Sequence, residues 1–264
     1  MSVAGVWQNQ YGSKMTLRMS NPNLVMGTYI SSTGSSGTYR VIGWQTNDDP
    51  TPQLGQPVCL AIEWHSIVQG LPDNSWHWVS GLSGQINIVS GKEQLVLAHA
   101  LVASVEFPDF APAGTYIDKL IYTRVGEEYP GEDTDAPDSN KGAVGADPTI
   151  GTWFADDGTM LDIMSVVPSD NNAFGYITGK MTWGGGPSMI YGVTDINATS
   201  SGLALQSVSI AGLPSDGGGP AISLSGTLDL SSSTMTLVDL QSTATAPRNS
   251  YLQTQVATLI FNKN

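Results

Sequence analysis

The chain has 264 residues, 12% of them charged, and its 23 acidic side chains outnumber 10 basic ones for a formal net charge of −13. So few Lys and Arg argue against nucleic acid and anionic membranes as partners, since both are bound through basic side chains. A low charge content with abundant Gly, Ser, Thr and Asn suits neither a disordered nor a helical chain, and no run approaches the ~18 apolar residues of a membrane span. The single cysteine, Cys59, leaves no intramolecular disulfide to form. Met1-Ser2-Val3-Ala4 leads directly into a strand-like segment. The chain as given therefore shows no secretion signal, and a mature secreted form would look the same. Asn197-Ala198-Thr199 fits the glycosylation acceptor pattern, which is frequent by chance.

Short alternating runs separated by Gly, Pro, Asn and Asp predict strands throughout. In the first half they fall near residues 3–9, 13–19, 24–31, 38–46, 57–65 and 75–82, then 85–103 as a hairpin arm and strand, and 115–125. Short turns between them predict sequential pairing that closes on itself, an up-and-down barrel without exposed sheet edges. Eight strands enclose an interior that side chains fill or that holds one small ligand. Residues Glu127 to Asp147 carry seven acids against one base, Lys141, with prolines and glycines between. Such a segment has no apolar face to bury and predicts a solvated acidic linker, with boundaries at 127–148.

Beyond the linker the pattern repeats. Gly5-Val6-Trp7-Gln8 is answered by Gly151-Thr152-Trp153-Phe154, and Leu82-Ser83-Gly84-Gln85 by Leu224-Ser225-Gly226-Thr227. Leu120-Ile121-Tyr122-Thr123-Arg124 is answered by Leu259-Ile260-Phe261-Asn262-Lys263. An internal repeat of this length predicts an all-β protein of two tandem eight-stranded antiparallel up-and-down β-barrels, residues 1–126 and 149–264.

Gly5-Val6-Trp7-Gln8-Asn9-Gln10-Tyr11-Gly12-Ser13 resembles the first strand and turn of the avidin and streptavidin family. Gly27-Thr28-Tyr29-Ile30-Ser31 resembles the family's third strand, and Ile62-Glu63-Trp64 stands where it carries a pocket tryptophan. Leu82-Ser83-Gly84-Gln85, Ser90-Gly91-Lys92-Glu93 and Tyr122-Thr123-Arg124 follow in the family's order, so the resemblance spans most of residues 5–125. It implies a binding site for biotin in which Asn9, Ser13 and Tyr29 converge on a ureido oxygen. Ser31 matches the acceptor for a ureido nitrogen and Trp64 an aromatic wall. Three preorganised donors at one oxygen in a dry pocket favour the polarised form of a urea.

Several positions depart from that pattern. Counting back from Leu82 puts Ser80, Trp78 and Trp76 inward on the sixth strand, where the family places small hydroxyl residues. The two indoles then narrow the tail channel or replace its lid. His99 takes the place of the seventh-strand tryptophan. The family's ureido-nitrogen partner falls on Leu120, with Asp118 two residues earlier on the same face as a substitute. The lid tryptophan that the family draws from a neighbouring subunit has no match near Pro112, but Tyr251 matches it in the second half and is a candidate to close the first pocket. In the second half Ala155 stands for Asn9, Ile177 for Tyr29 and Thr159 for Ser13, and no tryptophan matches Trp64. That barrel reads as filled and structural.

The three histidines, His65, His77 and His99, show no metal-ligand spacing, and neither a phosphate loop nor a nucleophile elbow occurs. The leading expectation is a non-catalytic binder, without cofactor, that holds biotin or another compact carbonyl or urea ligand in the first barrel, more weakly than the family norm. A homo-oligomer is expected, two chains giving four barrels. Two further readings stay open. One is an enzyme of cyclase or isomerase type with His99 or Asp118 as proton-transfer group; the other is a structural or interaction protein with both barrels filled.

Overall fold

The computed structural model describes residues 2–20, 23–33, 37–68, 70–126, 147–183 and 186–263. In the first half the alternating runs form β1 (Gly5–Asn9), β2 (Lys14–Met19), β3 (Leu24–Ile30), β4 (Thr38–Gln45), β5 (Gln56–Glu63), β6 (Ile67–Val68), β7 (Leu71–Pro72), β8 (Val79–Val89), β9 (Lys92–Ala103) and β10 (Gly114–Gly126). β6 and β7 make a separate two-stranded ribbon, while the other eight close into an antiparallel barrel in the order β1-β10-β9-β8-β5-β4-β3-β2. The second half forms β11 (Gly151–Ala155), β12 (Met160–Pro168), β13 (Gly175–Trp183), β14 (Gly186–Thr194), β15 (Leu205–Pro214), β16 (Ala221–Asp229), β17 (Thr234–Ser242) and β18 (Thr254–Lys263). These close in chain order, β11 meeting β18. The protein is therefore all-β with two closed eight-stranded barrels.

Two local expectations are corrected. The strands expected at 75–82 and 85–103 are not separated at Ser83-Gly84, which lie in the middle of the unbroken strand β8. A Cβ on Gly84 would come within 1.9 Å of the Val96 carbonyl oxygen, so this glycine serves a close strand approach. The reversal comes at Ser90-Gly91, whose φ values of 51° and 74° are the positive pair that a tight hairpin turn requires. Residues 127–146 of the expected linker lie outside the described residues. Asp147, its last acid, is buried. Its carboxylate accepts from the Thr149 amide at 2.9 Å and from Gln206 Nε2 at 3.2 Å, so it caps the turn that starts the second barrel.

Each barrel holds its own apolar core, and the two share one device. In the first, the buried Trp7 indole donates to the Val3 carbonyl at 2.7 Å, and the Arg124 guanidinium lies 4.4 Å over its ring. In the second, Trp153 donates to the Thr149 carbonyl at 2.8 Å beneath the Lys263 ammonium, 5.0 Å from the ring centre. A cation over an indole closes one end of each barrel.

The barrels pack side by side on outer faces that carry apolar side chains. Leu24, Met26, Ile42, Ala61, Val79 and Val102 of the first meet Ala173, Phe174, Tyr176 and Val193 of the second. Polar side chains stitch the rest of the seam. Ser83 Oγ donates to the Ala221 carbonyl at 3.0 Å, Ser209 Oγ to the Ser80 carbonyl at 2.9 Å, and His77 Nδ1 meets Asp195 Oδ2 at 2.7 Å. Gly81 permits this proximity: a Cβ there would stand 1.9 Å from Ser225 Oγ.

Candidate ligand-binding site

Inward alternation brings side chains from most strands of the first barrel to one mouth. Asn9 of β1 pairs with Tyr122 of β10, Tyr29 of β3 with Tyr39 of β4, and His99 of β9 with both Leu82 of β8 and Asp118 of β10. Trp64 follows β5, and Ser80 opens β8 beside it.

The orientation of Asn9 is set by the turn after β1. Its Oδ1 accepts from the amides of Tyr11 at 3.1 Å and Ser13 at 3.0 Å, so the Nδ2 donor is left for the interior. Tyr122 is fully buried, with its ring in the barrel core. Its hydroxyl lies in the electrostatic reach of Tyr29 and Asn9 but makes no hydrogen bond of good geometry with either. Burial first, and then the neighbouring Tyr29, hold its pKa well above the ordinary phenol value, so the group is a neutral donor.

Ser13 is buried close by but already engaged. Ser32 Oγ donates its one hydrogen to the Tyr11 carbonyl at 2.8 Å. In the 3.0 Å contact between the two hydroxyls Ser13 is therefore the donor, and it also accepts from the Ser32 amide at 3.0 Å. Of the three donors expected to converge, Asn9 and Tyr29 stand together, and Tyr122 stands between them where Ser13 was expected to donate. Ser31 is turned into the loop after β3, its hydroxyl donating to the Thr33 carbonyl at 2.8 Å.

The opposite wall is aromatic. Trp64 lies 5.7 Å from Tyr29 edge-on and 4.6 Å from Tyr39. Its indole N–H donates to Ser80 Oγ at 2.8 Å, and Ser80 in turn meets His99 Nε2 at 2.8 Å. Burial pushes the His99 imidazolium down to about 4, against the opposing pull of Asp118, so the ring is neutral near pH 7. Ser80 accepts from Trp64 and so bridges that indole to the His99 ring. Asp118 sits exposed at the rim, and Leu120, further in, lines the wall with aliphatic carbon. Next to Trp64 the buried Glu63 carboxylate accepts from the Arg40 amide at 2.9 Å and pairs with His65. Burial raises the Glu63 carboxyl, and its His65 partner pulls the other way.

The remaining expected residues lie elsewhere. Trp76 is in the 3₁₀ turn Asn74–His77, 5.7 Å from His65 and packed on the cluster between the barrels. Trp78 ends that turn; its indole donates to the Val105 carbonyl at 2.9 Å, and its ring stacks 6.0 Å from Phe110. Counting by strand parity set both inward, whereas β8 begins only at Val79 and the preceding turn breaks the alternation. Tyr251 is 75% exposed and shares a groove of about 370 Å³ with Ala98, Ile117 and the rim residue Asp118.

Strand register also revises the second barrel's correspondence. Trp153 pairs with Leu161 and Leu161 with Met181, as Trp7 pairs with Met15 and Met15 with Tyr29. Met181, not Ile177, therefore holds the place of Tyr29. Ala155 faces Phe261 as Asn9 faces Tyr122, so most of the polar cluster is replaced by carbon.

Sequence reasoning passed over Tyr122 and Tyr39 as site residues. Tyr122 shares inward parity with Leu120, but its approach to Asn9 depends on the closing β1–β10 register, which no local pattern carries. Among the described residues no group of three His, Cys, Asp or Glu side chains is placed to hold a metal ion, and no helix is long and apolar enough to cross a membrane.

The first barrel is thus a closed up-and-down barrel with preorganised donors and an aromatic wall at one mouth. Residues 1–125, the first barrel, match the model of the avidin family. The match ends where the first barrel ends, and the second barrel lies outside it. No curated protein matches the chain.

Proposed function

We propose that the first barrel binds biotin or another compact ligand that presents a urea or carbonyl oxygen to Asn9, Tyr29 and Tyr122. The observation that carries this reading is the Tyr122 hydroxyl, fully buried between two other polar groups and without a hydrogen bond of good geometry. A buried polar group costs free energy unless it is paired, and a ligand oxygen supplies the missing acceptor. Trp64 and Tyr39 supply the apolar wall. Leu120 offers no acceptor to a ureido N–H, and Asp118 stands further out at the rim. The biotin head group thus forgoes one polar contact, which supports an affinity below the family norm.

Calorimetry with biotin, and with imidazolidin-2-one as the smallest cyclic urea, tests this proposal. Binding heat that falls roughly 5- to 150-fold in affinity on Tyr122→Phe or Asn9→Ala, as about 1–3 kcal/mol per lost partner implies, is the expected result. No heat from either ligand at millimolar concentration removes the urea reading.

Pairing of two chains into four barrels is proposed as well, supported by exposed apolar side chains on β10 and β18, among them Ile117, Val256 and Ile260. Light scattering that gives the mass of one chain at all concentrations refutes it. The enzyme reading gains one observation, the Ser80–His99 contact near Asp118. A pKa of about 4 makes His99 a weak base at neutral pH, which favours binding over turnover.

A further inference from the structure

The second barrel carries one acid where its counterpart carries a histidine. Leu237 pairs with Gly226 as Leu97 pairs with Gly84, which sets Asp239 in the place of His99. Asp239 alternates with the core residues Met235 and Leu237 and faces Leu224 across the ladder, so its side chain points into the barrel. It is 3% exposed. Gln241 Nε2 donates to its Oδ2 at 2.6 Å, while Oδ1 has no hydrogen-bond partner. Asp157, in the turn after β11, faces it electrostatically from the rim.

The walls about this acid have been cut back. Ala155 stands where the first barrel has Asn9, and Ala257, paired with Asp239, stands where it has Asp118. Ala257 is exposed, so the wall beside the acid is low and opens outward. Neither aliphatic neighbour offers Oδ1 a proton.

We propose that the mouth of the second barrel is a binding site for a small organic ammonium ion, whose N–H groups complete the coordination of Asp239 Oδ1 while its carbon skeleton rests on Ala155, Met181 and Ala257. A carboxylate left half-satisfied in an apolar wall is costly and is relieved by a cationic donor. The rim acid Asp157 and the negative charge of the whole chain favour approach of a cation and disfavour an anion. Burial, opposed by Gln241 and reinforced by Asp157, raises the Asp239 carboxyl to about 6, so most molecules hold it ionised at pH 7.5. This site is separate from the urea-binding mouth and does not depend on it.

The test uses the full chain and n-propylammonium chloride as probe, with 1-propanol as its neutral match and sodium chloride as the salt control. Carboxyl NMR reads the titration of Asp239 directly. Propylammonium is expected to lower its midpoint from about 6 toward the ordinary carboxylate range, while propanol and salt leave it in place. Calorimetry is expected to show binding that Asp239→Asn abolishes and Asn9→Ala retains. An unmoved midpoint at 100 mM probe (roughly the weakest binding worth the name) or an equal response to propanol overturns the proposal and leaves a bound water as the partner of Oδ1.

Discussion

The Tyr122→Phe variant separates the role of one hydroxyl in stability from its role in binding, because the two effects have opposite signs. The ring is fully buried among Leu120, Leu95, Leu97 and Trp7, and phenylalanine keeps that packing. What is lost is a hydroxyl that no neighbour satisfies with good geometry. A buried polar group left unpaired costs about 1–3 kcal/mol, so its removal should stabilise the ligand-free protein by up to that amount. For a protein of this size that is a rise in melting temperature of about 2–4 °C per kcal/mol. In the liganded state the sign reverses, since the variant forgoes a donor to the ligand oxygen. The stabilisation conferred by saturating ligand should therefore shrink while the ligand-free transition moves up. Scanning calorimetry with and without imidazolidin-2-one measures both. A ligand-free melting temperature that falls in the variant means the hydroxyl has a partner in the empty barrel, and the argument for an awaited acceptor collapses.

Other consequences are as specific. His99 is neutral in the fold with a pKa of about 4 and must charge in the unfolded chain near 6.5, so the unfolded state binds the extra proton. The stability this confers is whole above pH 6.5 and is lost as pH falls toward 4, by up to about 3 kcal/mol. His99→Gln keeps a partner for Ser80 and should flatten that part of the urea-denaturation profile; an unchanged profile refutes the assignment. Cys59 is fully buried at the seam between the barrels, and burial pushes its thiol up to about 12. It should resist thiol reagents in the native state and react only as fast as the protein opens, and rapid labelling would show that the seam is not closed. Gly81→Val sets a side chain within 1.9 Å of Ser225 Oγ and 2.4 Å of Ser223 Oγ. It should cost about 1–3 kcal/mol by overpacking and hasten Cys59 labelling with circular dichroism unchanged; native-like protection refutes the close packing at this point.

What the sequence disclosed followed from what is local. Strand periodicity and turn residues sufficed for two all-β barrels, because alternation and Gly- or Asn-rich reversals are read within a few residues. Asn9, Tyr29, Trp64, Ser80 and His99, read from the sequence as candidate site residues, lie at one mouth of the barrel because each keeps the position its neighbouring motif implied. The misplacements share one cause. Trp76 and Trp78 were assigned by extending the parity of β8 through residues that fold as a 3₁₀ turn. Ile177 was assigned by a short motif, whereas ladder register fixes Met181. The engagement of Ser13 with Ser32 and the isolation of the Tyr122 hydroxyl depend on side chains 19 residues apart and on barrel closure. No window on the chain contains them.

The second barrel bears on the first site through the wall they share. β8 presents Ser80, Leu82 and Ile86 to the interior of the first barrel, and Gly81 and Ser83 to the second. The hydroxyl of Ser80 holds Trp64 and His99, while its carbonyl accepts from Ser209 of β15. One residue thus ties the aromatic wall to the neighbouring barrel. A wall fixed on both faces loses little conformational entropy when a ligand arrives, and preorganisation of this kind adds affinity without adding contacts. The first barrel alone would expose the apolar outer face now covered by Phe174, Tyr176 and Val193 and would free β8 on that side. The second barrel has exchanged most of the polar cluster for carbon, yet its packing helps set how firmly the first site is held.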